Sequence, residues 1–274
     1  MAVNYTVSPT AGESTSIYNA LSVLPLWLSF LATLYATTGT FLARTSLSKL
    51  NGKHGTPAPA LLAFSATAMA SNMYLAWSGI VGWFGPVGSD TGATLETRLY
   101  MRSEYVECHI LGPMLAHLIA DLVLYCRVPE LFIPALLLHH GFTALLGMLA
   151  LWPLPFAHHY DIFFAGLGEL SNVPLGVLEV FKLVPALRER FPLAYERAFT
   201  AFAIVFAVLR LVYWPIVSFN FWSDNLVAHQ TSSHRAPPAV IVIYLLGNAV
   251  LTGLQVAWGA KLFHRMVYKK SKDL

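Results

Sequence analysis

Residues 130–152 read ELFIPALLLHHGFTALLGMLALW, from Glu130 to Trp152. After Glu130 the stretch holds no formally charged side chain, and at about 1.5 Å per residue a helix of this length crosses the roughly 30 Å of hydrocarbon in a bilayer. Yet it carries two adjacent histidines, His139 and His140, about ten residues or 15 Å from its start. An apolar run with imidazoles near its centre reads as a membrane helix with a polar inner face.

Working outward, comparable runs occupy 17–43, 58–84, 104–126, 158–184, 197–222 and 238–264, each bounded by Pro, Gly or charge clusters. Of the 274 residues, 56% are hydrophobic and only 11% charged, against about 25% charged in an ordinary soluble domain. Runs this long are not the alternating ten-residue strands of an outer-membrane barrel. The expectation is an all-α, seven-transmembrane helix bundle over 17–265, with tails 1–16 and 266–274. The first run exceeds the apolar core of a cleavable signal peptide and reads as a retained span.

Placement of positive charge sets the direction. Thirteen of the 17 Lys and Arg residues fall in the connections on one side, three (Arg98, Arg102 and Arg235) on the other, and Arg210 lies inside a span. The positive-inside rule makes the C-terminus cytosolic and the N-terminus lumenal. Asn4-Tyr5-Thr6 is an N-glycosylation acceptor on the lumenal side of that topology. The ending Lys269-Lys270-Ser271-Lys272-Asp273-Leu274 fits a dilysine endoplasmic-reticulum retrieval signal and equally a basic anchor on anionic lipid. A net charge of +3 gives no basis for a nucleic-acid partner. Cys108 and Cys126, 18 residues apart on one helix, stand too far from each other for a disulfide.

Polar groups inside the spans are functional candidates, because an unpaired one costs several kcal/mol in hydrocarbon. His139 and His140, Glu169, Arg210 and His117 sit at matched fractional depths on four helices. Glu169, Asn172, Gly176 and Glu179 form a stripe at i, i+3, i+7 and i+10 that calls for a wet cleft toward the cytosol. Pro174 within that stripe predicts a kink. His117 and Asp121 are an i, i+4 pair in which the carboxylate orients the imidazole. Thr143 follows the histidines by one turn and bonds either into the site or to its own backbone. Simpler roles stand beside these: interhelical hydrogen bonding for a lone histidine, a register-fixing ion pair for Arg210 with Glu169, and packing for Asn248 and Gln255.

Leu136-Leu-Leu-His139-His140-Gly-Phe-Thr143 resembles the His-His segment of the TLC domain family of multi-pass membrane proteins, which includes ceramide synthases and TRAM proteins. Glu169-Leu170-Ser171-Asn172-Val173-Pro174 is similar to the Glu-Leu-Ser plus proline segment of members outside the ceramide synthases. Arg210 matches an arginine in the next helix, and Leu254-Gln-Val-Ala-Trp258 is similar to the final helix; the resemblance covers about 58–265. It implies a protein acting on or binding long-chain lipids, with a membrane lipid or fatty acyl chain as partner and acyl-CoA as co-substrate. No bound cofactor or metal is implied. Carried over, His139 or His140 takes the acyl group as nucleophile or general base together with Glu169. His117, Asp121, Thr143, Asn172 and Arg210 line the substrate cavity, expected to reach the cytosol beside His140. The His-Asp and Ser-Asp pattern of ceramide synthases is missing where this chain has Glu169-Leu-Ser171-Asn172, which favours the other branch. The alternatives are a non-catalytic regulator of membrane composition and an accessory subunit of a larger complex.

Other classes fit less well. A membrane hydroxylase needs many histidines on one metal, whereas His158 and His159 fall at the far mouth of span five, roughly 27 Å of helix from His140. A receptor lacks the partner cysteine for Cys108, a retinal protein lacks a lysine within span seven, and no second half matches a transporter repeat.

Overall fold

The computed structural model describes residues 15–52, 54–231 and 235–272. The Asn4 acceptor, the tail 1–14, Lys53, His234 and residues 273–274 lie outside the described residues, as do the side chains of the terminal lysines. Among the described residues there is no strand, and seven long helical rods account for most of the chain. They are α1 (Thr15–Ala43), α2 (Ala58–Phe84), α3 (104–125), α4 (Pro134–Leu151), α5 (158–183), α6 (192–230) and α7 (Pro238–Lys272). Proline opens α4, α6 and α7, where a missing N–H costs nothing because the first turn has no partner for it.

Five helices are long and apolar enough to cross a membrane: Ile17–Ala43, Leu95–Tyr125, Pro134–Leu151, Pro192–Gln230 and Pro238–Met266. The other two rods depart from that pattern for visible reasons. α2 turns Ser65, Thr67, Ser71, Asn72 and Ser78 into the protein, where all five are buried. α5 is divided among short segments of different helical type.

α2, α3, α4, α7, α6 and α5 contact one another in that cyclic order, and α1 packs outside against α2 and α3. Most buried apolar side chains form one core inside this ring, with a smaller cluster around Leu61, Tyr125 and Leu131 at the end where the basic connections 44–57, 126–133 and 184–191 lie. There Glu130 accepts hydrogen bonds from the Thr56 hydroxyl and from the N–H groups of Thr56 (3.0 Å) and His54 (2.9 Å). A desolvation penalty opposes these bonds but does not match them, so the Glu130 carboxyl is held down at about 2.

α2 and α5 approach each other closely. A Cβ on Gly79 would lie 1.9 Å from the Leu167 nitrogen, and one on Gly166 would lie 2.8 Å from the Gly79 Cα. Two glycines facing each other let the backbones touch there.

Three rods leave α geometry partway along. π-helical turns occur at Glu107–Leu111, Ile162–Gly166 and Ala207–Tyr213, and a 3-10 segment at Leu167–Ser171 follows the second. Proline explains the placement. Pro113, Pro174 and Pro215 each lack an N–H, and each ring crowds the carbonyl four residues back: His109, Leu170 and Leu211. All three carbonyls fall inside a non-α segment.

Candidate functional site

The 3-10 segment of α5 carries Glu169, and the π turn of α6 carries Arg210. The two irregular segments therefore aim the two charges at each other across a packed interface. Arg210 is only 6% exposed; its Nη2 lies 3.4 Å from Glu169 Oε1 and its Nε donates to Ser171 Oγ at 3.1 Å. The guanidinium also lies 5.0 Å from the centre of the Trp214 ring, a cation–π arrangement. Gly168 makes room: a Cβ there would sit 3.4 Å from the guanidinium carbon.

Around this pair runs a narrow seam of about 60 Å³, lined by His139, Thr143, Leu146, Asp161, Phe164, Glu169, Arg210, Trp214, Tyr244 and Asn248 among others. That volume holds a few water molecules. Along α4 the lining extends from His139 to Gly147, roughly 12 Å of helix. It is polar at the His139, Glu169 and Arg210 end and again at Asp161 and Tyr244, with apolar side chains between.

The histidine pair divides between two environments. His139 faces the seam, its ring meets the edge of Trp258 at 5.6 Å, and its Nδ1 is buried with no hydrogen-bond partner. His140 turns to a second polar group. Its Nδ1 lies 3.5 Å from one Asp121 oxygen, and His117 Nδ1 lies 3.6 Å from the other. Neither contact meets hydrogen-bond geometry, and the Asp121 carboxylate instead accepts from the Tyr125 hydroxyl at 3.2 Å. The two groups adjoin: His139 and His140 ring centres are 5.5 Å apart, and those of His117 and His140 6.2 Å.

The structure thus brings His139, Thr143, Glu169 and Arg210 to one cavity and His117, Asp121 and His140 to a cluster beside it. Thr143 donates to the His139 carbonyl at 2.8 Å, the backbone alternative, while still lining the seam. Asn172 donates to Glu169 and is not part of the lining.

Two expectations need correction. The seam does not run to the basic end beside His140; from His139 it extends the other way, to Asp161 and Tyr244. Nor does the Glu169–Glu179 stripe border a cleft. A Cβ on Gly176 would meet the Met69 side chain of α2 at 2.4 Å, so the middle of the stripe packs against α2. Three participants were not singled out from sequence: Tyr125, Ser171 and Trp258. Tyr125 stands one turn after Asp121, and that spacing was the available signal.

Elsewhere, His158 is structural. His158 accepts from the Ser103 N–H at 3.1 Å through Nδ1, while Nε2 pairs with the Ala150 carbonyl at 3.1 Å. Among the described residues no group of three His, Cys, Asp or Glu side chains is placed to hold a metal ion. Cys108 and Cys126 are free thiols.

An all-helical bundle with several membrane-crossing helices and a polar group within its core defines a multi-pass integral membrane protein. The family model of the TLC domain matches residues 73–264, and the chain belongs to the TLC-domain family. The match takes in α3 to α6, α7 as far as residue 264 and about half of α2, but neither α1 nor the first turns of α2. No curated protein and no solved structure matches the chain.

Proposed function

We propose that this TLC protein acts on or binds a long-chain lipid, whose polar end meets His139, Glu169 and Arg210 and whose apolar chain follows the seam. In this reading all seven rods span the endoplasmic-reticulum membrane, with the amino end lumenal, and the chain sits in the branch outside the ceramide synthases. The observation that carries it is the seam's lining, which joins an unpaired imidazole, a carboxylate and a guanidinium to an apolar wall at membrane depth. At about 60 Å³ the closed seam is too small for an acyl chain, so admission requires α4, α6 and α7 to separate.

The chemistry is acyl transfer from acyl-CoA. An imidazole nitrogen of His139 attacks the thioester carbonyl; the C–N bond forms as the C–S bond breaks, and coenzyme A leaves as thiolate and takes the proton that the other ring nitrogen gives up. An acceptor lipid amine or hydroxyl then attacks the acyl-imidazole, losing its proton to Glu169, which passes it to the departing imidazole and so restores the histidine. Arg210 faces the carbonyl oxygen or the acceptor head group. His140, backed by Asp121 and Tyr125, fixes the rim of the site next to His139. Labelled acyl-CoA supplied to purified protein is expected to leave a hydroxylamine-sensitive adduct that His139→Ala lacks.

A second reading, lipid binding without turnover, is favoured by the closeness of Arg210, Glu169 and Ser171, which satisfies much of their polarity internally. It predicts altered cellular lipids in His139→Ala plus His140→Ala but no adduct in the native protein. Unchanged lipids in a folded, correctly localised double variant overturn both readings.

A further inference from the structure

A separate cavity of about 330 Å³ opens where α2, α5 and α6 meet the 85–103 connection. Asp224 in its wall lies fourteen residues beyond Arg210 on α6, roughly 20 Å along the helix. Tyr160 and Phe221, with ring centres 5.0 Å apart, stand between it and the seam. It is larger than the seam, and its polar lining comes from Arg98, His159, Asn220, Ser223 and Asp224.

The hydrogen bonds already made within this wall define what is left over. Arg98 binds the Asp224 carboxylate through Nε and Nη2 at 2.5 and 2.7 Å and the Gly92 carbonyl through Nη1 at 3.2 Å. The Tyr160 hydroxyl donates to the same carboxylate. The two charges cancel; three of the five guanidinium N–H groups are used in these bonds and Arg98 also interacts with the Tyr160 hydroxyl, which leaves at most one free to donate. The Thr91 hydroxyl gives its hydrogen to the Val87 carbonyl at 2.7 Å, so at the 3.0 Å contact it accepts from His159 Nδ1. His159 Nε2 is then the accepting end of a neutral imidazole. Asn220 and Ser223 are exposed and make no hydrogen bond to described residues.

The unused groups therefore combine a donor, an acceptor and two side chains that do both, around a site of zero net charge. A phosphate would face the His159 lone pair and the Asp224 carboxylate. An ammonium would find the wall's carboxylate already taken by Arg98. A hydroxyl donates and accepts at once, and a ring bearing several satisfies all of these groups together. The volume is at the lower end for ligand pockets and fits one such ring, not an acyl chain. We propose that this cavity binds a neutral polyhydroxylated ring, a sugar or cyclitol, carried as a lipid head group or free in solution. The proposal does not rest on acyl transfer at His139.

The test uses the full chain in phosphatidylcholine nanodiscs, with thermal unfolding as the readout. A glucosylated diacylglycerol is included in the disc, or methyl glucoside or inorganic phosphate is titrated in. Stabilisation by the glucosylated lipid alone identifies a head-group site, and stabilisation by methyl glucoside as well identifies a saccharide site; both support the proposal. Asn220→Leu and Ser223→Ala, whose side chains hold nothing in the protein, are each expected to weaken the apparent affinity about tenfold, whereas His139→Ala leaves it unchanged. A larger response to phosphate than to either sugar, equal responses in native and variant chains, or no response to any probe overturns it.

Discussion

Two sets of buried charge in this molecule are built to opposite standards. Near the 85–103 connection Glu107, fully buried, is bound by Arg102 through two hydrogen bonds at 2.8 and 2.9 Å and by Asn19 at 2.8 Å, tying α1 to α3. Arg98, Asp224 and Tyr160 are joined as tightly. At the middle of the bundle the spacings are looser: 3.4 Å between Arg210 and Glu169, and 3.5 and 3.6 Å from Asp121 to two imidazoles. Two imidazole nitrogens there have no hydrogen-bond partner. A fully bonded buried ion holds the fold, and its loss leaves a partner stranded. A loosely bonded one keeps hydrogen-bonding capacity for something else.

The sharpest way to break this contrast is to spoil the middle from behind. Gly79→Val puts a side chain into the α5 backbone beside the segment that carries Glu169, and is expected to abolish folded protein on size-exclusion chromatography, a cost of several kcal/mol, roughly the extreme for overpacking. Asp224→Ala should come next, lowering unfolding stability in detergent by about 3 kcal/mol; a change below about 1 kcal/mol would place this ion pair with ordinary surface bridges. His139→Ala should cost less than about 1 kcal/mol while removing the lipid phenotype. A larger loss of stability would make the midplane as structural as the other end.

The smallest effect concerns Glu130, a charged anchor outside the spans. Its folded value near 2 lies below its ordinary 4.5, so its contribution is present above about 4.5 and is lost as pH falls from there toward 2. Glu130→Gln should therefore unfold at a lower temperature than the native chain at pH 6 and converge with it near pH 2.

Much of this architecture is legible before any coordinates, because hydrophobic length and helical rise fix how deep a residue sits. All seven windows contain a helical rod, and the four helices that carry His117, His139, Glu169 and Arg210 do bring them to adjoining positions. Ends are harder. The sixth apolar window covers 197–222, yet α6 begins at Pro192 and runs through 230, since a helix continues past the hydrocarbon edge at no cost in hydrogen bonds.

Azimuth is harder still. Gly176 shares a stripe with Glu169, but in the fold it receives Met69, and periodicity names a face without naming what covers it. The non-α turns also shift the phase, so the angle computed from an ideal helix drifts across each one. Proline is the clue: Pro174 predicts the departure in α5, and Pro113 and Pro215 carry the same message for α3 and α6.

Those wide turns carry a consequence for how this protein tolerates change in length. A π turn is an α-helix with one residue too many, and each residue of an α-helix turns the chain by about 100°. Deleting a single residue within Ala207–Tyr213 would let α6 relax to regular geometry with its two flanks nearly in phase, while the wide turn that presents Arg210 to Glu169 would be lost. The cation would then swing out of its socket while Asp224 kept its own partners, so a one-codon deletion here should act on the middle of the bundle and spare its far end.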